Sequence, residues 1–559
     1  MKRLKKLFSY LIALTMVFSI ATLAGVNVYA DGQTPSYELK INGTVAGHKY
    51  AVYKVFGGDL KVDSSTKTLS NIVWGDGVDG AGLLTALKKD NSFKKDDKDK
   101  NVFADASTAA DVAKVLSDQK YADNSKEAKA FAQDVGQHLV AVTKTVDSTT
   151  TSTIITLDHP GYYFVKNNDD VSGHDAATRF IVQVVGPAEV TVKSSVPTVT
   201  KKVDDINDST GTEEKLKDSA DYDIGDDVPY TITGTLPSTY EDYSSYNYVF
   251  TDTMSKGLTY TENSFKVTLY QNDTDSTGTD VTNWFTETIN NPTPDDGDKY
   301  SGGKKITWSC DDLKKKDTDN KVSKDAKFVV TYKAKLNENA NIGSAGNPNK
   351  VDLIYSNNPN NGGKGKTGKT PEDTNIVFTY AANFNKVDGS QKPLPNAKFT
   401  LYKFTKTKID ESDKSDTYNN VVGYWHSLGE KEAEKVVDKD QNTKYTANYK
   451  GLDDGVYKLS ETHTPDGYNT MSDKIFTLTA THNDGDQPSF GTLTVNGLTT
   501  TINDATTIND GTINTNIVNN KGSILPSTGG MGTTLLYAAG GILVACAVAY
   551  VVLNKKHAK

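Results

Sequence analysis

Cysteine is nearly absent: there are 2 in 559 residues, Cys310 and Cys546, and neither has a second cysteine at metal-binding spacing. That excludes a disulfide framework and a thiolate zinc centre, so the cores must be held by something else. Histidine is scarce too. The eight present include no His-Glu-x-x-His pair, and no Gly-x-Ser-x-Gly elbow occurs, which leaves a secreted metalloprotease or serine hydrolase without its machinery. Excess base is missing: 62 Lys and Arg stand against 71 Asp and Glu, a net charge of -9, so nucleic acid is not an expected partner. No acidic run has EF-hand spacing. Asp96-Asp97-Lys98-Asp99 and Asp438-Lys439-Asp440 read as solvated turns, and neither a metal nor a cofactor is expected. Long apolar runs occur only at the two ends, yet 36% of the chain is hydrophobic, too much for a disordered acidic polymer. At this length, more than one packed core is expected.

The ends point to the compartment. Lys2, Arg3, Lys5 and Lys6 precede the apolar run Leu7 to Leu23, and Val28-Tyr29-Ala30 closes it, the layout of a secretory signal peptide over residues 1–30. At the other end, Leu525-Pro526-Ser527-Thr528-Gly529-Gly530 is followed by an apolar stretch, Met531 to Leu553, and the basic tail Asn554 to Lys559. That stretch is long enough to span a bilayer with its basic end inside, which leaves the LPSTGG outside.

Between the ends, Thr, Val, Tyr and Ile alternate with polar residues in short runs broken by Asn, Asp and Gly, the period of strands with one buried face. Tyr50–Val55, Thr153–Leu157, Lys327–Tyr332 and Lys474–Thr479 are examples. Ala81–Lys88 and Ala109–Val140 instead carry apolar residues at helical spacing. Lys94–Lys100, Asn272–Asp280 and Asn357–Lys369 read as solvated loops. An internal echo pairs Lys49–Val55 with Lys398–Phe404, and Gly161–Val165 with Gly455–Leu459. The expected organisation is mainly β: three tandem sandwich domains over 31–196, 197–380 and 381–524, the first with short helical insertions, and a C-terminal segment over 525–559.

Strand alternation also brings chemistry together. Tyr457, Leu459 and Glu461 share a face, as do Phe384 and Lys386, and Ile517 and Asn519, so a lysine, a carboxyl and a carboxamide can meet in one core. A buried carboxylate is costly unless it is neutralised or partnered. In the middle domain Val199, Lys201 and Val203 share a face, Phe250 and Asp252 another, and Asn349, Val351, Leu353 and Tyr355 a third. Lys202 competes with Lys201, and Asn520 with Asn519.

Tyr457-Lys458-Leu459-Ser460-Glu461-Thr462-His463-Thr464-Pro465-Asp466-Gly467-Tyr468 resembles the E-box of Gram-positive pilins and related CnaB-type modules, and LPSTGG with its span and tail resembles a cell-wall sorting signal. The chain as a whole resembles the LPXTG-anchored major (backbone) pilins of the SpaA type. The resemblance implies Ig-like, CnaB-type sandwiches and self-formed Lys-Asn isopeptide bonds, each made once without turnover, so the protein is no enzyme in the ordinary sense. It pairs Lys386 with Asn519, with Glu461 as the catalytic acid, and Lys201 with Asn349, with Asp252 as the acid. In the first domain the echo puts Asn167 where Glu461 stands, so no bond is expected there by this route, while a pairing through Lys40 stays open. Sortase would cut between Thr528 and Gly529. The acceptor amine would be Lys193 in Val190-Thr191-Val192-Lys193-Ser194-Ser195-Val196-Pro197, which keeps the Val-x-Val of the family's segment but not its Tyr-Pro. The implied product is secreted and cell wall anchored, a pilus on the cell surface. Its partners would be sortase, further copies head-to-tail, peptidoglycan, minor pilins and a host-surface ligand. The alternative is a monomeric anchored adhesin using the same modules as a stalk.

Overall fold

The alternating segments fold as strands almost throughout. The computed structural model describes residues 37–63, 66–95, 100–122, 125–168, 171, 173–192, 195–437, 441–498, 506–522 and 544. The expected signal peptide, Lys193, Thr528 and Gly529 therefore lie outside the described residues, as does the apolar C-terminal stretch apart from Val544. The described residues fall into two compact units. One takes those of Met1–Ile206, Thr212–Thr379 and Thr481–Gly491, the other those of Asn207–Gly211, Tyr380–Ala480 and Thr492–Lys559.

The first unit contains separate cores. Its early strands are β1 (Tyr37–Asn42), β2 (Lys49–Asp63), β3 (Ser152–Leu157), β4 (Gly161–Asn167), β5 (Arg179–Val184) and β6 (Ala188–Thr191). β1 lies between β3, antiparallel, and β6, parallel, while β2, β4 and β5 run side by side in a second sheet. Leu39, Ile41, Val52, Ile155, Val165 and Val182 meet in one core. Three helices pack their apolar residues into another core with Phe56 and Phe164: α1 (Gly80–Lys89) by Leu83 and Leu87, α2 (Ala109–Gln119) by Val112 and Leu116, α3 (Lys126–Gln137) by Phe131 and Val135. α2 starts where it does because the Thr108 hydroxyl accepts from the Asp111 amide and the Asp111 carboxylate accepts from the Thr108 amide, satisfying donors the helix leaves open.

Further along the same unit, β7 (Val199–Asn207), β8 (Asp227–Thr235), β9 (Tyr248–Met254), β10 (Lys304–Cys310), β11 (Lys327–Leu336), β12 (Asn347–Ser356) and β13 (Asp373–Phe378) belong, with shorter strands, to two seven-stranded sheets. One runs β7-β8-β11, the other β13-β12-β9-β10. Their inward residues, among them Tyr230, Phe250, Trp308, Val330 and Leu353, form one continuous aromatic-rich core. Cys310 is buried in it as a free thiol.

The second unit holds β14 (Tyr380–Asp388), β15 (Lys398–Thr405), β16 (Thr443–Leu452), β17 (Gly455–His463) and β18 (Thr512–Asn519). β14 sits between β16, antiparallel, and β18, parallel, and β15 pairs with β17 in the facing sheet. The sequence echo is structural to the residue: Val52 faces Val165 as Leu401 faces Leu459, and Tyr50 faces Asn167 as Phe399 faces Glu461.

One expectation needs correction. Asn357–Lys369 is solvated only in its later part, where Asn361 and Lys364–Thr367 are exposed; at its start Asn357 is buried, donates from its side chain to the Val171 carbonyl at 2.8 Å and accepts at its own carbonyl from the Ala177 amide at 2.7 Å. Polarity here serves hydrogen bonding inside the unit rather than water. Residues 363–370 within this run also carry the letters of a phosphate-binding loop, Gly-x-x-x-x-Gly-Lys-Thr. That motif needs a loop opening a helix, whereas Thr367–Lys369 is a strand paired with β12, and the Lys369 amine sits 2.9 Å from Asp352 Oδ2.

The fold makes a pH prediction through α3. Asp134 buries Oδ2 without a hydrogen-bond partner, and burial, with Asp90 adding, pushes its carboxyl up to about 6. A carboxyl with a raised folded pKa binds more protons folded than unfolded, so its contribution to stability declines as pH rises from about 4 to 6. Asp134→Asn is expected to stabilise the chain by about 1 kcal/mol at pH 7, an estimate reduced for partial exposure, with the gain vanishing near pH 4 in denaturant titrations.

Candidate functional site

Among the described residues, two lysines sit in cores with no exposure, Lys201 and Lys386. Neither position is accidental: each lies at an inward place on its strand, Lys201 between Val199 and Val203 and Lys386 at the next inward place after Phe384.

Lys386 lies on β14 between inward Phe384 and the end of the strand, and β18 runs parallel beside it with Ile517 opposite Lys386 and Asn519 opposite Asp388. From the facing sheet, β17 sends in Glu461. The Lys386 amine is 3.2 Å from Glu461 Oε1, both side chains being wholly buried, and it lies over the Phe399 ring at 5.7 Å. Its contact with Glu461 is not an aligned hydrogen bond. Burial holds the amine below its ordinary value, with Glu461 pulling the other way. Asn519 donates through Nδ2 to both carboxylate oxygens of Glu461, at 2.8 and 2.9 Å, while its Oδ1 has no partner. The amide thus presents its nitrogen to Glu461, not the oxygen that a proton-donating carboxyl would have met. Glu461 is fixed further by the Met471 amide at 2.9 Å and the Thr464 hydroxyl at 3.2 Å. Asn520, the neighbouring candidate, is exposed.

The middle site uses a different set of strands. Lys201 comes from β7 in one sheet, Asp252 from β9 and Asn349 from β12 in the other, where Asn349 pairs with Met254 and Asp252 with Val351. The Lys201 amine hydrogen-bonds Asp252 Oδ2, with neither side chain exposed, and stands 4.5 Å over the Tyr230 ring. Burial pushes the amine down and the Asp252 carboxyl up; the attraction between them opposes both shifts. Desolvation penalises each charge, so the pair favours the neutral amine and neutral acid. A fourth group joins them. The Tyr332 hydroxyl accepts from Lys201 at 2.5 Å and from Asn349 Nδ2 at 2.8 Å, and donates to Asp252 Oδ2 at 2.9 Å. Sequence reading passed over Tyr332, although its alternation with Phe328 and Val330 marked it as inward. Lys202, one residue on, turns outward to Asp218 and is a third exposed.

Among the described residues, the first core lacks such a trio. Asn167 is buried at the position equivalent to Glu461, but its Oδ1 accepts from the Thr178 amide at 2.7 Å and hydroxyl at 2.9 Å. β1 puts Leu39 and Ile41 inward, while Lys40 points out to an exposed ion pair with Glu189 at 3.0 Å.

Each trio could join an amine to a carboxamide and expel ammonia: the amine is desolvated, and a carboxyl beside it can carry the proton to the leaving nitrogen.

Two stretches of the chain match known family models. Residues 224–359 match the family described as Gram-positive pilin backbone subunit 2, Cna-B-like domain, and residues 381–489 match the SpaA prealbumin-like fold domain. The trypsin-resistant surface T6 protein of Streptococcus pyogenes serotype M6 is 28% identical over 305 residues, 52% of this chain and 46% of that protein, so the match spans about half the relative's length. Among solved structures, the T6 backbone pilin of serotype M6 S. pyogenes covers 88% of this chain and 99% of its own at 18% identity, TM-score 0.45. The full-length major pilin SpaD of Corynebacterium diphtheriae covers 87% and 98% at 17% identity, TM-score 0.41.

The burial of the two amines is directly testable. Brief acylation of the folded protein with a water-soluble amine reagent, followed by peptide mapping, is expected to label Lys40 and Lys202 and to leave Lys201 and Lys386 untouched. Labelling of either of the latter two in the folded chain contradicts their placement.

Proposed function

We propose that the chain, whose residues 224–359 match a Gram-positive pilin backbone model and whose residues 381–489 match the SpaA prealbumin-like fold domain, is the structural backbone subunit of a sortase-assembled pilus anchored to the cell wall. The observation that carries the reading is the repeated meeting, inside two separate cores, of a lysine amine, a carboxyl and a carboxamide without solvent. On this reading Lys386 joins Asn519 and Lys201 joins Asn349, once each, with Glu461 and Asp252 carrying protons. Nζ bonds to the carboxamide carbon, the bond from that carbon to Nδ2 breaks, and the amine's proton reaches the departing nitrogen, which leaves as ammonia.

A tie across well over a hundred residues restricts the unfolded chain much as a disulfide does, by about 4 to 5 kcal/mol on the chain-entropy estimate. Its mechanical effect is larger. Lys386 and Asn519 lie on parallel neighbours β14 and β18, so tension entering one strand and leaving by the other would pass through the bond instead of the hydrogen-bond ladder. Export by residues 1–30, cleavage between Thr528 and Gly529, and attack by Lys193 of another copy complete the scheme. That junction is heterologous and extends into a filament instead of closing. Minor pilins and a host-surface ligand would complete the set of partners.

Intact mass of residues 31–528 tests the internal bonds. The expected value is lower than the sequence mass by two molecules of ammonia, with one restored in Glu461→Ala and the other in Asp252→Ala; the full sequence mass in the unaltered chain overturns the cross-links. Assembly is tested separately in the native host. Wall extracts should give a ladder that Lys193→Ala collapses, whereas a single band in the unaltered strain would mean a monomeric anchored adhesin.

A further inference from the structure

Of the buried polar side chains outside the two trios, one touches every member of a trio: Tyr332 on β11, whose hydroxyl meets Lys201, Asp252 and Asn349 at once. We propose that Tyr332 is a further catalytic residue of the middle site, passing the lysine proton to Asp252 while holding the Asn349 amide in line for attack. The proposal rests on the cross-linking reading above and goes beyond it.

A phenol hydroxyl has one proton to donate and two lone pairs to accept with. Here the donor goes to Asp252 and the acceptors take Lys201 and Asn349, so the hydrogen-bonding capacity is filled by the reacting groups alone. The ring is locked as firmly as the hydroxyl. Tyr332 faces Tyr230 across the β8–β11 pair with ring centroids 5.2 Å apart and nearly parallel, and Trp308 packs at 5.1 Å. Burial first, and then Asp252, keep the phenol far above its ordinary pKa, so it stays a neutral hydroxyl that accepts a proton only as it releases one.

The relay balances. The bond from Lys201 Nζ to Asn349 Cγ forms and the bond from Cγ to Nδ2 breaks. Asp252, starting as the neutral acid, gives its proton to Nδ2, which departs as ammonia, and is re-protonated by the Tyr332 hydroxyl as that group takes one Nζ proton in exchange. The second site shows why a relay belongs to the middle one. There Glu461 itself takes both hydrogen bonds of the leaving nitrogen, at 2.8 and 2.9 Å, whereas Asn349 rests its Nδ2 on the phenol.

The test is Tyr332→Phe in residues 31–528, followed by intact mass against time after purification and by sequencing of the cross-linked peptides. Loss of a positioned proton carrier typically slows a reaction by about 100-fold or more. The middle bond is therefore expected to form at least about 100-fold more slowly, while the Lys386–Asn519 bond forms at the wild-type rate and so reports folding. Tyr240→Phe, which removes a buried hydroxyl from the same core away from the site, is expected to form both bonds normally. An unchanged rate for the middle bond in Tyr332→Phe, or equal slowing in Tyr240→Phe, overturns the proposal. Absence of ammonia loss in the unaltered chain fails the cross-linking reading itself, a separate outcome.

Discussion

Water exclusion around a lysine amine is the constraint on which the chemistry of this molecule turns. An ammonium ion in bulk water is held by its hydration, and moving it into an apolar core without compensation is costly enough that the proton leaves instead. Lys201 and Lys386 sit at positions that strand alternation reserves for Val, Ile and Phe, each with a carboxyl within reach and no route to solvent. Both sites are therefore organised around an unstable charge. The fold contributes apolar walls and aromatic faces, and the local polar groups decide where the displaced proton can go.

The two sites reach that condition by different topologies. In the second unit the amine and the carboxamide are carried by adjacent parallel strands, and the carboxyl comes from the facing sheet. In the middle core the amine comes from one sheet, and the acid and carboxamide from the other, so the cross-link proposed there would stitch the two sheets together. β13 follows β12 in the chain, which leaves it beyond Asn349, paired with β12 and with the strand Ser219–Asp221. The first core keeps the parallel pairing of its early and late strands but fills the inward positions with Leu39 and Ile41, and gives Asn167 a purely structural task.

Much of this was legible in the sequence because strands announce themselves locally. Period-2 alternation marked β7, β11 and β17, and helical spacing marked α1 to α3, since a residue's face depends only on its own few neighbours. The echo between Lys49–Val55 and Lys398–Phe404 held through to cross-strand register, because one hairpin-like pairing constrains both members together. The start of the run Asn357–Lys369 was misread for the opposite reason: Asn357 looks solvated by composition, and only packing reveals that it serves distant backbone groups.

By itself, then, the sequence determined which side chains face inward, and so named Lys386, Glu461 and Asn519, and Lys201, Asp252 and Asn349, as groups that folding must bury. Only the tertiary structure decided between neighbours: Lys201 over Lys202 and Asn519 over Asn520, because adjacent residues on a strand point to opposite faces and the register of the sheet sets which face is dry. It alone brought in Tyr332, whose role depends on three strands arriving from two sheets at one hydroxyl, a distance relation that no spacing along the chain encodes.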